Sequence, residues 1–277
     1  MSCRLLIAAL AVVAALSGCA APGGSSVDRG GGVEARARDG VVQYRRYVAT
    51  QVDALGPQAR RFADAVKARD VNRAKALFPV ARAPWERIEP IAESFGDLDA
   101  RMDGRQDTVR PPGAAFTGFH RLEKDLWADG LQPDSSAVAD RLLADVADLQ
   151  ARAPGVELTP TRLADGATEL LEEVSIVKLT GDEDVYASSD LWDIDANVEG
   201  SAAVVRALRP AIDGGDPTLG PRLDQQFADV RRMLDAHRVG DGFRPYRELT
   251  AYDREKMSIA IDALGESVGR VADAVGS

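Results

Sequence analysis

Cysteine is nearly absent from this sequence: Cys3 and Cys19 are the only two, both within the first nineteen positions. A disulfide framework and a cysteine-based metal site are thereby excluded. Aromatics are scarce at 5%, and no run of alternating β-branched residues lies between hairpin turns, so strands have little to build on. Basic charge is in the minority, with 34 Lys and Arg against 44 Asp and Glu and a formal net charge of −10. Phosphate binding needs clustered cations, and no basic block exists here, which excludes nucleic acid as a partner. Also missing are the GxxxxGKS/T loop, GxGxxG, HExxH and GxSxG, and with them the nucleotide, zinc-peptidase and serine-hydrolase chemistries those motifs carry. Asp193-x-Asp195-x-Asn197 opens like an EF-hand loop, but Val198 and Val204 stand where that loop needs Gly and Glu.

What the chain does have begins at its amino terminus. Leu5 to Leu16 is apolar without interruption. That run is too short to span a bilayer, which takes about 20 residues, and it matches the apolar region of a secretory signal. Leu16-Ser17-Gly18-Cys19 looks like a bacterial lipobox, which implies cleavage before Cys19 and acylation of its thiol. Two acyl chains anchor stably where one is marginal. The expected organisation is a signal peptide over 1–18, a Gly/Ser-rich flexible tether over 19–38 and a helical domain over 39–277. The mature chain would be exported and anchored to the outer face of the cell membrane.

From residue 40 onward apolar residues recur at i, i+3/i+4 and i+7. Val42, Tyr44, Tyr47, Val48, Val52 and Leu55 form one stripe, which Gly56-Pro57 is expected to close. Others run through Val138, Leu142, Val146 and Leu149; Leu163, Leu170, Leu171 and Val174; Leu223, Phe227, Val230 and Leu234; and Met257, Ile261, Leu264 and Val268. The chain reads as all-α, with about eight helices arranged as two antiparallel four-helix bundles.

Two constellations carry chemistry. In Pro84-Trp85-Glu86-Arg87-Ile88-Glu89-Pro90, Pro84 suits a helix's first turn, and Glu86 and Glu89 then share one face. Carboxylates that close repel unless a cation or a shared proton lies between them. By itself the spacing also describes a solvated helix face, and the pair stays open between the two readings. His120-Arg121-Leu122-Glu123 aims an imidazole and a carboxylate the same way, the i, i+3 spacing by which bundles present ligands inward. His237, near a helix end, is expected to serve C-terminal carbonyls.

Those strings, with Gly118-Phe119, Glu93-Ser94-Phe95-Gly96-Asp97, Glu173-Val174-Ser175, Thr180-Gly181-Asp182-Glu183-Asp184 and Asp190-Leu191-Trp192-Asp193, resemble the imelysin-like proteins of the EfeO/EfeM type over residues 40–275. The resemblance implies two four-helix bundles and a role as an exported iron-uptake component. It implies the short EfeM type, because the residues ahead of position 40 leave no room for the cupredoxin domain that EfeO proteins carry. The family's HxxE motif falls on His120 and Glu123, and its acidic partners on Glu86, Glu89 and Asp103. A further acid comes from the 173–183 stretch, with Glu173 and Glu183 as candidates. The implied ligand is iron, as Fe3+ or Fe2+, at a hard oxygen-and-imidazole site that also suits other divalent cations. The implied partners are an iron permease and a haem peroxidase-like component of the same system. The expected protein is a binding protein and not an enzyme. The alternatives weighed are an imelysin-like metallopeptidase and a cell-surface polysaccharide-binding module.

Overall fold

The computed structural model describes residues 26–107 and 115–276; the signal peptide and Cys19 lie outside them. The first helix, α1 (Ser26–Lys67), is the longest. Part of the expected tether therefore belongs to it, and Val33 and Ala37 are buried in the core. The glycines suggest a flexible segment, but these two apolar side chains lie one helical turn apart and pack with the stripe that follows. Gly56-Pro57 does not close α1 either. Leu55, Ala59 and Phe62 are all fully buried, and this packing on both sides carries the helix past the proline.

After Asp70, whose side chain caps it by accepting the Arg73 N–H, comes α2 (Val71–Glu86). The chain then makes a 3-10 turn over Glu89–Phe95 and a short α3 (Asp97–Met102). Pro84 thus lies in the last turn of a helix and not its first, and Glu86 and Glu89 flank a junction instead of sharing one helix. Next come α4 (Gly118–Lys124), continued by a π turn over Asp125–Asp129, and α5 (Ser135–Arg152). Thr159 and Pro160 start α6 (Pro160–Ile176). Then follow α7 (Asp190–Gly215) and α8 (Leu219–Asp235). A two-residue antiparallel hairpin pairs Arg238 with Phe243 and Val239 with Gly242, around Gly240 and Asp241. A Thr250/Asp253 capping box opens α9 (Ala251–Val268), and α10 (Val271–Gly276) ends the described chain.

The protein is all-α. One bundle gathers α1, α2, α4 and α5, and the other gathers α6, α7, α8 and α9, with α1 and α7 packed along each other at the seam. Most of the apolar stripes face inward as expected: Leu142, Leu149, Leu163, Leu223, Leu234, Ile261 and Leu264 are fully buried, whereas Val42 of the first stripe is exposed. Near the seam, α6 and α7 approach the 87–90 turn so closely that a Cβ on Gly166 or Gly200 would overlap the carbonyl oxygens of Pro90 or Arg87. Among the described residues no helix is long and apolar enough to cross a membrane.

Candidate metal centre

Charged and polar side chains from six segments meet where the bundles join. The last turn of α2 supplies Arg82 and Glu86, the turn beyond it Glu89, the end of α3 Asp103, and α4 supplies His120 and Glu123. The α6–α7 connection adds Lys178, Glu183 and Asp184, and the first turns of α7 add Asp190, Asp193 and Asn197. All but Glu89 are buried. Burying this much charge is costly unless each group is paired, and the pairing is dense. Arg82 stands at the centre with no solvent exposure. Its Nε and Nη2 donate to the two Asp103 oxygens (3.0 and 3.1 Å). Nη2 also donates to Glu86 Oε1 (2.6 Å) and Glu183 Oε1 (3.2 Å), and Nη1 donates to Asp184 (2.6 Å) and Asp193 (2.9 Å). Lys178 Nζ donates to Glu86 Oε2 (2.7 Å) and Glu89 Oε2 (3.0 Å). Arg105 donates to Glu183 Oε2 (2.7 Å).

The imidazole is held from one side. His120 Nδ1 lies 3.0 Å from Glu123 Oε2, while Glu123 Oε1 accepts the backbone N–H groups of Tyr186 and Ala187, both at 2.8 Å. This is the carboxylate–histidine arrangement that fixes a ligand ring. The π turn starts directly after α4, a feature frequent at functional sites. On the other edge, His120 Nε2 has no hydrogen-bond partner and lies 3.6 Å from both Asp103 Oδ1 and Glu183 Oε1. Ligand atoms of Asp103, His120 and Glu183 thus fall within 4.8 Å of one another, as do those of His120, Glu123 and Asp184 and those of Glu86, Glu89 and Asp103.

The electrostatics follow from burial and crowding. Burial and the Arg82 charge act to lower the His120 pKa, but Glu123, Glu183 and Asp103 outweigh them and hold it up at about 10. Burial works to raise Glu183, yet Lys178, His120 and Arg82 keep it well below the usual carboxylate range. Glu89 is pushed well upward by burial and by Glu86. Burial with Asp103 nearby lifts Asp99 to about 7, and burial with Asp184 nearby lifts Asp190 to about 7. A cleft of about 460 Å³ opens over this region, walled by Glu89, Asp99, Asp103, Arg105, Glu173 and Glu183.

All five expected ligands and both candidate acids are therefore drawn to one place, but in different roles. Asp103, His120 and Glu183 group together, and Glu123 stands behind the imidazole. Glu86 and Glu89 surround Lys178. Glu173, half-buried, lines the cleft, and burial raises its pKa. Sequence reasoning missed Arg82, Lys178, Asp184, Asp190, Asp193 and Asn197. Two signals pointed to all but Asp184: a lone cation inside an apolar run (Val80-Ala81-Arg82-Ala83-Pro84 and Ile176-Val177-Lys178-Leu179), and a polar stripe at 190, 193 and 197 on an otherwise apolar helix. The false EF-hand string resolves the same way, since Asp193 and Asn197 face the cluster while Asp195 turns away to Arg238 (3.0 Å). His237 follows α8 and joins no such grouping among the described residues.

The Imelysin (Peptidase M75) family model matches residues 40–271. The chain is 41% identical over 238 residues to the iron uptake system component EfeO of Escherichia coli O157:H7, and 40% identical over the same length to the proteins of that name from E. coli K12 and Shigella flexneri. Each alignment covers 85% of this chain and 64% of the relative, so the chain spans a little under two thirds of these relatives' length. With a family match running from α1 to the start of α10, the chain belongs to the imelysin family.

Proposed function

We propose that this protein is an extracytoplasmic iron-binding component of an uptake system. It would be tethered to the membrane through lipidated Cys19, capture iron at the Asp103–His120–Glu183 group and pass it to a membrane permease, with a haem peroxidase-like component as a further partner. The observation that carries the reading is the buried, unpartnered Nε2 of His120, which lies between Asp103 and Glu183, two carboxylates that line the acidic cleft. Carboxylate and imidazole donors suit Fe and Mn over soft ions such as Cu(I). The walls of the cleft concentrate cations near the site. The relatives' name, iron uptake system component, supports iron as the cargo. Ligands must be free of their protons, so binding releases the proton that His120 carries in the metal-free protein.

We read the site as binding and not hydrolytic. Asp103, Glu123, Glu183 and Asp184 are each held by Arg82, Arg105 or main-chain N–H groups, which leaves none of them poised as the base that activates a metal-bound water. Calorimetric titration of the mature chain with Fe2+ under anaerobic conditions tests the proposal. Saturable binding that His120→Ala and Asp103→Asn each weaken is expected. Binding that is absent, or unchanged in both variants, overturns it. Membrane fractionation tests the anchor: Cys19→Ala should leave the protein unprocessed or released.

A further inference from the structure

The three ligand groupings around Arg82 are not alike. In the Asp103–His120–Glu183 group the imidazole presents an unpartnered nitrogen. Arg82 bonds to carboxylates of that group and of the Glu86–Glu89–Asp103 group alike, but between Glu86 and Glu89 the chain sets a second cation, Lys178, which also lies 3.6 Å from Glu183 Oε1. Lys178 Nζ, without solvent exposure, bridges Glu86 Oε2 and Glu89 Oε2 at 2.7 and 3.0 Å, distances normal for charge-assisted bonds. Asn197 Nδ2 donates to the same two oxygens at 3.0 and 2.6 Å and holds them facing one another. An ammonium is a compact point charge, and here it takes the place that a metal cation bridging the two glutamates would take. The partners are unequal. Glu86 shares its other oxygen with Arg82 (2.6 Å), whereas Lys178 is the one cation bonded to Glu89 among the described residues. The lysine reaches the pair from a 3-10 turn (Lys178–Thr180) that directly follows α6.

We propose that Lys178 is a built-in counter-ion that plugs the Glu86–Glu89 pair, so that the cluster accepts one metal cation and not two, and that removing its charge converts the pair into a second site for a hard divalent cation. The count for the native chain rests on the ion-binding reading above; the plug itself does not.

The test is equilibrium dialysis of the metal-free mature chain against Mn2+, a redox-stable probe, with bound metal measured per chain. One ion is expected for the native protein and for Lys178→Arg, and two for Lys178→Met. The triple variant Lys178→Met/Glu86→Gln/Glu89→Gln should return to one. A Lys178→Met protein that binds no more Mn2+ than the native chain overturns the plug, as does a native chain that already binds two. A native chain that binds none sinks the ion-binding reading instead; the plug then still requires one ion in Lys178→Met and none in the triple variant. Should Lys178→Met fail to fold, Glu89→Gln in the otherwise native chain decides. An affinity within about threefold of native is expected if Glu89 serves the lysine, and any larger loss, which makes Glu89 a ligand, overturns the proposal.

Discussion

The seam between the bundles and the far end of the second bundle are held together by opposite means. Beyond Asn197, the buried polar side chains among the described residues are Ser201 and Ser267, and α8, α9 and α10 close on Leu223, Val230, Leu234, Ile261, Leu264, Val268 and Val271. At the seam, helices of the same class close on a guanidinium, an ammonium, an imidazole and eight carboxylates. Apolar burial is non-directional and tolerates repacking. A buried charge network is not tolerant, because removing one member strands the rest. The far end therefore supplies stability that does not depend on the ion, and the seam supplies a place whose stability does.

Removing the central cation should break that contrast most severely. Arg82→Met strands five carboxylates. It should cost at least about 3–5 kcal/mol in urea unfolding of the metal-free protein, with part of the loss restored by added Mn2+ or Fe2+. In the other region Leu264→Ala should cost about 3 kcal/mol, while the rise in melting temperature on adding metal stays that of the native chain. His120→Ala and Glu123→Ala should each weaken ion binding about tenfold or more, about 1.4 kcal/mol, with far-UV helicity intact; unchanged affinity in both would reduce the motif to a structural pair.

The pH dependence sharpens the comparison further. Asp99 titrates at about 7 in the folded protein against an ordinary value of 3.8, so the native state holds its proton more tightly than the unfolded chain does. The stability this contributes is complete below about pH 4 and is lost as pH rises to about 7. The stability of Asp99→Asn relative to the native chain should therefore increase across that window and then level off, read from urea midpoints at fixed salt. A difference that stays flat with pH would mean that Asp99 is not held protonated. Arg209→Ala should have the smallest effect. It removes exposed pairs with Asp213 and Asp224 and should cost less than about 1 kcal/mol, with no change in ion binding.

The sequence carried the fold well, because apolar periodicity is a local signal and these helices obey it. It carried His120, Glu123, Glu86, Glu89 and Asp103 through the family resemblance. What stayed hidden was the division among them. Spacing along one helix cannot show that Glu86 and Glu89 flank a junction, nor that a lysine 89 residues beyond Glu89 comes to rest between them. Gly56-Pro57 and the glycines before residue 33 misled for a related reason: local backbone preference is weak against the burial of Val33, Leu55 and Phe62 in a shared core.

The two glycines against the 87–90 turn carry a consequence for genetics. Gly166 and Gly200 bear no chemistry, yet Gly200 faces the carbonyl oxygen of Arg87, between Glu86 and Glu89, and Gly166 that of Pro90, just after Glu89. Any larger side chain there must push the turn aside, and the two glutamates with it. A random-mutation screen for loss of the folded seam would thus return Gly166 and Gly200 beside Arg82. Their alanine variants would be the mildest in composition and among the most damaging in effect, and a search limited to ligating residue types would overlook both.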